Sequence, residues 1–197
     1  MMKLYYSKTS PYSRKILLLA MHLGIADELE IIYVNPIEPP EEFVETNPLS
    51  KVPTLVQEGE TPLFDSRVIA EFLMDRAGMN DAGRSKSEML KRQALADGMM
   101  DAAFAIVMEA RRSDAEQSAF WVDRWSAAID RSLANLEAGT LKALEAWGLD
   151  SIAIACALDY ICFRLPDLAW RDQYPMVAEW YQSAIGRREM QQTDPRI

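Results

Sequence analysis

Few residues in this chain are equipped for chemistry, and the scarcity is informative. His22 is the sole histidine among 197 residues, which removes Ser-His-Asp hydrolases and most histidine-ligated metal sites. Cys156 and Cys162 are the only cysteines and both lie in an apolar segment, so they supply neither a disulfide framework nor a thiolate zinc cluster and are expected to be small core residues. What remains is two places where a hydroxyl or carboxylate stands at the start of a helical pattern: Ser10 ahead of Pro11, and Asp65-Ser66 ahead of Val68, Ile69, Phe72 and Leu73. Ser, Asp and Pro are favoured at helix starts, and the N–H groups exposed there, with the positive end of the helix dipole, receive anions.

The elements that must position these residues can be followed along the chain. Lys3–Tyr6 is a short apolar-aromatic strand running into Ser7-Lys8-Thr9-Ser10. The helix that follows is expected to stop at Gly24, with His22 mid-helix among apolar residues in a structural role. A second strand at about Glu30–Val34 completes a parallel strand-helix-strand unit. The stretch Asn35–Pro48 holds four prolines and should be irregular, with one helical turn around Glu41–Glu45. Thr54–Gln57 and Pro62–Phe64 read as two short strands joined by a turn at Glu58-Gly59-Glu60, followed by a helix to about Arg76. From about Ser85 helical spacing takes over. A stripe including Met89, Met99, Met100 and Phe104 is followed by helices over Ala115–Ala138, Asp150–Arg164 and Met176–Ile185, with Ala77–Gly83 as the linker. The Asp150–Arg164 segment is apolar nearly all round and should be the central buried helix.

The formal net charge of −9 opposes binding to nucleic acid or anionic lipid. No stretch approaches the roughly 20 apolar residues of a membrane span. Arg14-Lys15 ahead of Ile16–Leu23 has the outline of a secretory signal. No small-residue cleavage site follows it, and Gly24-Ile25-Ala26-Asp27-Glu28 reads as a helix stop, so a cytoplasmic location is expected.

Three separated segments resemble the glutathione transferase superfamily, and they fall in its order: Thr9-Ser10-Pro11-Tyr12-Ser13-Arg14, Asn47-Pro48-Leu49-Ser50-Lys51-Val52-Pro53-Thr54-Leu55, and Phe64-Asp65-Ser66-Arg67-Val68-Ile69-Ala70. Ile152–Tyr160 with Phe163-Arg164 resembles the core helix of the family's second domain, so the likeness covers nearly the whole chain and is nearest to a bacterial branch with serine at the active position. The resemblance implies a thioredoxin-like α/β domain over residues 1–78 and an all-helical bundle over 85–197 that completes the substrate site. It also implies glutathione as cosubstrate without metal or nucleotide, a homodimer, and a detoxifying role against small electrophiles.

On that resemblance Ser10 is more than a helix cap. Its hydroxyl would donate a hydrogen bond to the glutathione thiolate, which the helix terminus also stabilises, while Thr9 stands in reserve for the same task. Ser10-Pro11-Tyr12-Ser13 also resembles the glutaredoxin tetrapeptide with both cysteines replaced by serine, which removes the mixed-disulfide step of thiol exchange. The family's proline at Pro53 is cis, so that Val52 offers its backbone N–H and C=O to the cysteinyl amide of glutathione. Ser66 would receive the γ-glutamyl carboxylate and Asp65 the ammonium. For the glycine carboxylate, Asn35-Pro36-Ile37-Glu38 offers no match to the basic or amide residue that relatives carry, and Lys51 is the nearest substitute.

Several residues carry an ordinary alternative. Met99, Met100, Phe104 and Met108 could line an electrophile pocket, although a methionine-rich stripe is more often core. Asp97 and Asp101 share a helix face and are either reached by the ligand's ammonium across a dimer interface or solvated. The family's capping box at the central helix is half present, with Gly148 and Ser151 in its two places and Asp150 as the other candidate cap. Two further functions remain open on the same residues: a glutathione-binding or protein-interaction module without turnover, and a glutathione-dependent isomerase or dehalogenase.

Overall fold

The computed structural model describes residues 1–79, 85–144 and 146–197. They divide into two compact units, one of Met1–Ser85 with Gln192–Pro195 and Ile197, the other of Lys86–Gln191 with Arg196. Of the linker expected over Ala77–Gly83, Ala77 caps the preceding helix and Gly78 turns the chain with φ +67°, while residues 80–83 lie outside the described part.

The first unit is built on a three-stranded sheet in the order β2-β1-β3, with β1 at Met2–Tyr6, β2 at Leu29–Tyr33 and β3 at Thr54–Gln57. β1 runs parallel to β2 from Met2↔Leu29 to Tyr6↔Tyr33, and the connection is helix α1, Pro11–His22. β3 is antiparallel to β1, pairing Tyr5 with Thr54 and Met2 with Gln57. A short helix α2, Glu41–Thr46, presses the fully buried Phe43 against Tyr5 with ring centroids 5.1 Å apart. Helix α3, Ser66–Arg76, packs against α1. Leu4, Ile16, Leu18, Leu55, Ile69 and Leu73 are buried at 0% exposure and form this unit's core.

Two expectations change here. Pro62–Phe64 is not a strand: pairing is confined to the bridge Leu55↔Leu63, with mutual N–H···O bonds of 2.9 and 2.8 Å. Pro62 has no N–H to extend the ladder, and Asp65 already caps α3, which leaves no length for a fourth strand. His22 is the last residue of α1 and is exposed rather than mid-helix, because Leu23 and Gly24, the latter at φ +72°, end the helix directly after it.

The second unit is helical: α4 Lys86–Glu109, α5 Ala119–Glu137, α6 Leu149–Arg164, α7 Pro175–Ile185 and a short α8, Arg188–Gln192. α6 is central, with every residue from Leu149 to Ile161 buried, and it packs against α4 and α7. Polar ties join these helices. Arg92 Nε donates to Asp150 Oδ2 at 2.7 Å, and Tyr181 Oη donates to Asp159 Oδ1 at 2.6 Å. The Glu137 carboxylate accepts from the N–H groups of Met176 and Val177 at the start of α7. At the start of α6, Ser151 Oγ accepts from Gly148 N at 2.8 Å and Asp150 Oδ1 from Ser151 N at 3.0 Å, so half a capping box and the aspartate serve together.

The long helix expected over Ala115–Ala138 is shorter, because Asp114–Glu116 is a 3-10 turn and α5 begins only at Ala119. Of the methionine-rich stripe, Met99 and Met100 are core, Met108 is half-buried, and Phe104 is 47% exposed. Asp97 is buried and Asp101 exposed, so the two do not share one environment. Trp121 and Trp125 stack on each other with centroids 5.8 Å apart. Cys156 is core, whereas Cys162 is half-buried and its Sγ accepts from Arg171 Nη2 at 3.1 Å. No helix of the described residues is long and apolar enough to cross a membrane.

Candidate functional site

Strand register brings the two helix starts and the proline loop to one end of the sheet. Thr54 lies opposite Tyr5, one residue short of the end of β1, so Val52 and Pro53 stand beside the point where β1 runs out into Ser7–Ser10. Leu63 lies opposite Leu55 in an antiparallel bridge, so Asp65 falls level with Pro53 on the other side of β3. The packing of α1 against α3 fixes the two N-termini with respect to this edge.

Ser10 is the N-cap of α1, with extended backbone at φ −84° and ψ 118°, and its Oγ accepts from Ser13 N at 3.2 Å. That bond occupies a lone pair and leaves the hydroxyl proton to donate, so capping and donation to a ligand are compatible. Pro11 is the first helical residue, and the first turn of α1 holds no acid to cancel the positive end of the dipole. Ser10 is half-buried, while Thr9 is exposed in the preceding turn.

The Val52–Pro53 peptide is cis, as the resemblance implies. Pro53 is buried and Val52 half-buried. The loop that carries them is held by Asn47, whose role sequence reasoning missed. This residue is fully buried; its Nδ2 donates to Lys51 O at 2.9 Å and to Thr54 Oγ1 at 2.8 Å, and its Oδ1 accepts from Leu49 N at 3.0 Å. The signal was present as Asn-Pro at the head of a turn, where an asparagine side chain bonds the backbone two residues on. Within the loop Ser50 sits at φ +49°, a left-handed conformation uncommon outside glycine. The Lys51 carbonyl is taken up by Asn47 and Thr54, and its side chain is exposed.

Asp65 caps α3, with Oδ1 accepting from Arg67 N at 2.9 Å, and is itself exposed. Ser66 is the first helical residue and is 4% exposed. The Phe64–Asp65 peptide is also cis, which no sequence signal indicated. Among the described residues no cluster of three or more His, Cys, Asp or Glu side chains could hold a metal ion. The arrangement is a pair of helix N-termini and a backbone edge at the end of a sheet, suited to a zwitterionic, peptide-like anion.

Residues 9–76 match the family model for the glutathione S-transferase N-terminal domain. The chain is 37% identical over 202 residues to the uncharacterized GST-like protein YibF of Escherichia coli K12, covering 98% of each. Its structure resembles that of a glutathione transferase family member from Pseudomonas fluorescens Pf-5 with bound glutathione, at TM-score 0.94, 33% identity and 100% of both chains. It also resembles a structure of a family member from that strain with bound S-(propanoic acid)-glutathione, at TM-score 0.89 and 32% identity over 99% of this chain and 100% of the other. The chain belongs to the glutathione transferase family, with a thioredoxin-like N-terminal part and a helical C-terminal part.

Proposed function

We propose that this protein is a glutathione S-transferase in which Ser10 activates the thiol of bound glutathione for attack on an electrophilic carbon of a small, largely apolar molecule. The sulfur–carbon bond forms as the bond to the leaving group breaks, the leaving group departs with its electron pair, and the thiol proton passes to solvent. Bringing a thiol from a pKa of about 8.5 to about 6.5 requires roughly 2.7 kcal/mol of differential stabilisation. One charge-assisted hydrogen bond, at roughly 1.5–3 kcal/mol, with a dipole contribution of roughly 0.3–1 kcal/mol, is of the right size.

The observation that carries this reading is the register that sets Ser10, Val52-Pro53 and Asp65-Ser66 at one end of one sheet. In the proposed pose Val52 pairs with the cysteinyl amide, Pro53 shapes that edge, Ser66 and the α3 N-terminus receive the γ-glutamyl carboxylate, Asp65 its ammonium, and Lys51 the glycine carboxylate. Thr9 is the alternative thiol donor. Support also comes from the Pseudomonas relatives, one with glutathione and one with an S-substituted glutathione bound. We assign the protein to the cytoplasm, as a homodimer with a detoxifying role. Turnover across halogenated, epoxide and isothiocyanate substrates tests the reading. Conjugation of any of them that depends on Ser10 supports it, whereas glutathione binding with no turnover in the whole panel would replace it with a binding module.

A further inference from the structure

The outward face of α5 differs from an ordinary solvated surface. Ile129, Leu133 and Leu136 turn inward and are buried. At 3.6 residues per turn the stripe opposite them runs through Phe120, Arg124, Ala127, Arg131 and Ala134, all exposed. A helix face that meets only water is usually laced with opposite charges three or four residues apart. This one carries a large aromatic at its head, then arginines alternating with alanines.

Neither arginine is answered within the chain. Arg124 and Arg131 make no side-chain hydrogen bond, ion pair or ring contact among the described residues, although the chain holds 30 acids against 21 bases. By contrast Arg76, Arg92 and Arg187 each bond a carboxylate. The acids of α5 are placed elsewhere. Asp130 accepts from Tyr174 Oη at 2.6 Å and Glu137 from the first N–H groups of α7, while Asp123 stands to the side of the stripe. The aromatic head is arranged in advance: Phe120, 68% exposed, meets Trp121 edge-on with centroids 5.3 Å apart, and Trp121 in turn stacks on Trp125. Aromatic and arginine side chains anchor protein interfaces, and rings already held in place lose little freedom on contact.

We propose that this face docks a helix of a partner protein that carries acids and a bulky apolar residue along one side. Charge complementarity selects the acidic partner: two unanswered guanidiniums seven residues, or about 10 Å, apart meet carboxylates two turns apart on the partner helix. Ala127 and Ala134 let the second helix approach closely, and the Phe120–Trp121 pair receives its apolar residue. The partner's acids need only be local, since salt screens the net charge of −9 beyond about 8 Å. This surface does not depend on the glutathione reading.

The test is titration of a fluorescein-labelled, alanine-based helical peptide of about 20 residues with the intact protein, followed by anisotropy. The peptide carries one leucine and two glutamates seven residues apart on a single face. A counterpart with glutamine for glutamate, and a labelled oligothymidylate, are the comparison ligands. The acidic peptide should bind at least about tenfold more tightly than either. Arg124→Glu, Arg131→Glu and Phe120→Ala, all changes at exposed positions, should each weaken it about fivefold or more. Lys3→Glu makes the same change of charge in the first unit and should leave binding unchanged. Sedimentation of the wild type and of the double variant Arg124→Glu with Arg131→Glu should give the same association state. No binding of the acidic peptide, equal binding of its glutamine counterpart, tighter binding of the oligothymidylate, or as large a loss in Lys3→Glu as in the arginine variants would overturn the proposal. So would a lowered association state in the double variant, which would make the face an interface between copies of this chain.

Discussion

Asn47 and Thr54 are joined by a buried hydrogen bond, Nδ2 to Oγ1 at 2.8 Å, which closes the loop carrying Val52 and Pro53 onto the start of β3. Asn47 makes three such bonds at 0% exposure, so its side chain rather than the loop's own sequence holds the proline edge in place. Asn47→Ala should lower stability by about 2 kcal/mol, the cost of leaving buried partners unsatisfied, and should weaken glutathione binding without touching a ligand contact. Asn47→Asp should be worse, because it sets a carboxylate oxygen against the Lys51 carbonyl. Denaturant midpoints with calorimetric titration of each variant measure both effects.

Asp65→Ala and Ser66→Ala should weaken glutathione binding by about tenfold or more each, since hydrogen bonds to charged groups contribute roughly 1.5–3 kcal/mol. The fold should survive, because Asp65 is exposed and Ser66 is small. Calorimetry on both variants decides; unchanged affinity in both would remove the γ-glutamyl assignment.

How much of this was legible in the sequence depended on punctuation. Ser10-Pro11, Gly24 and Asp65-Ser66 are residues whose backbone preferences act locally, so the ends of α1 and the start of α3 could be read directly. The fourth strand was misread because Pro62–Phe64 has strand composition, and a tertiary fact, how soon α3 begins, limits it to one bridge. Phe104 fits the helical period of the apolar stripe and yet is exposed, since period alone does not say which part of a 24-residue helix is covered. The role of Asn47 depends on partners four and seven residues away that only the folded loop brings within reach.

The Arg92–Asp150 pair ties α4 to the start of α6 with both side chains nearly excluded from solvent, at 9% and 0% exposure. Asp150→Ala should cost about 3–5 kcal/mol by leaving the guanidinium buried with Glu88, 3.8 Å away, as its remaining ion-pair partner among the described residues. Replacing both by apolar residues, Arg92→Met with Asp150→Leu, should recover much of that loss. Thermal unfolding of the single and double variants measures the difference.

Burial, and then the hydrogen bond to Asp159, push the Tyr181 phenol well above its ordinary range. Its folded pKa is therefore higher than its unfolded value near 10, so its contribution to stability is complete below about pH 10 and is lost as pH rises above that. Tyr181→Phe should flatten the fall in melting temperature between about pH 9 and pH 11. An equally steep fall in the variant would assign the alkaline loss to other groups.

The central claim is that Ser10 donates to the glutathione thiolate, and an ultraviolet pH titration of the bound thiolate in wild type and Ser10→Ala tests it most directly. The account predicts a raised thiolate pKa in the variant, with glutathione affinity changed much less because the Val52, Asp65 and Ser66 contacts remain. Loss of the cap to Ser13 should by itself cost about 1 kcal/mol of stability. A lower melting temperature with an unshifted thiolate pKa would contradict the account and leave Ser10 as a helix cap alone.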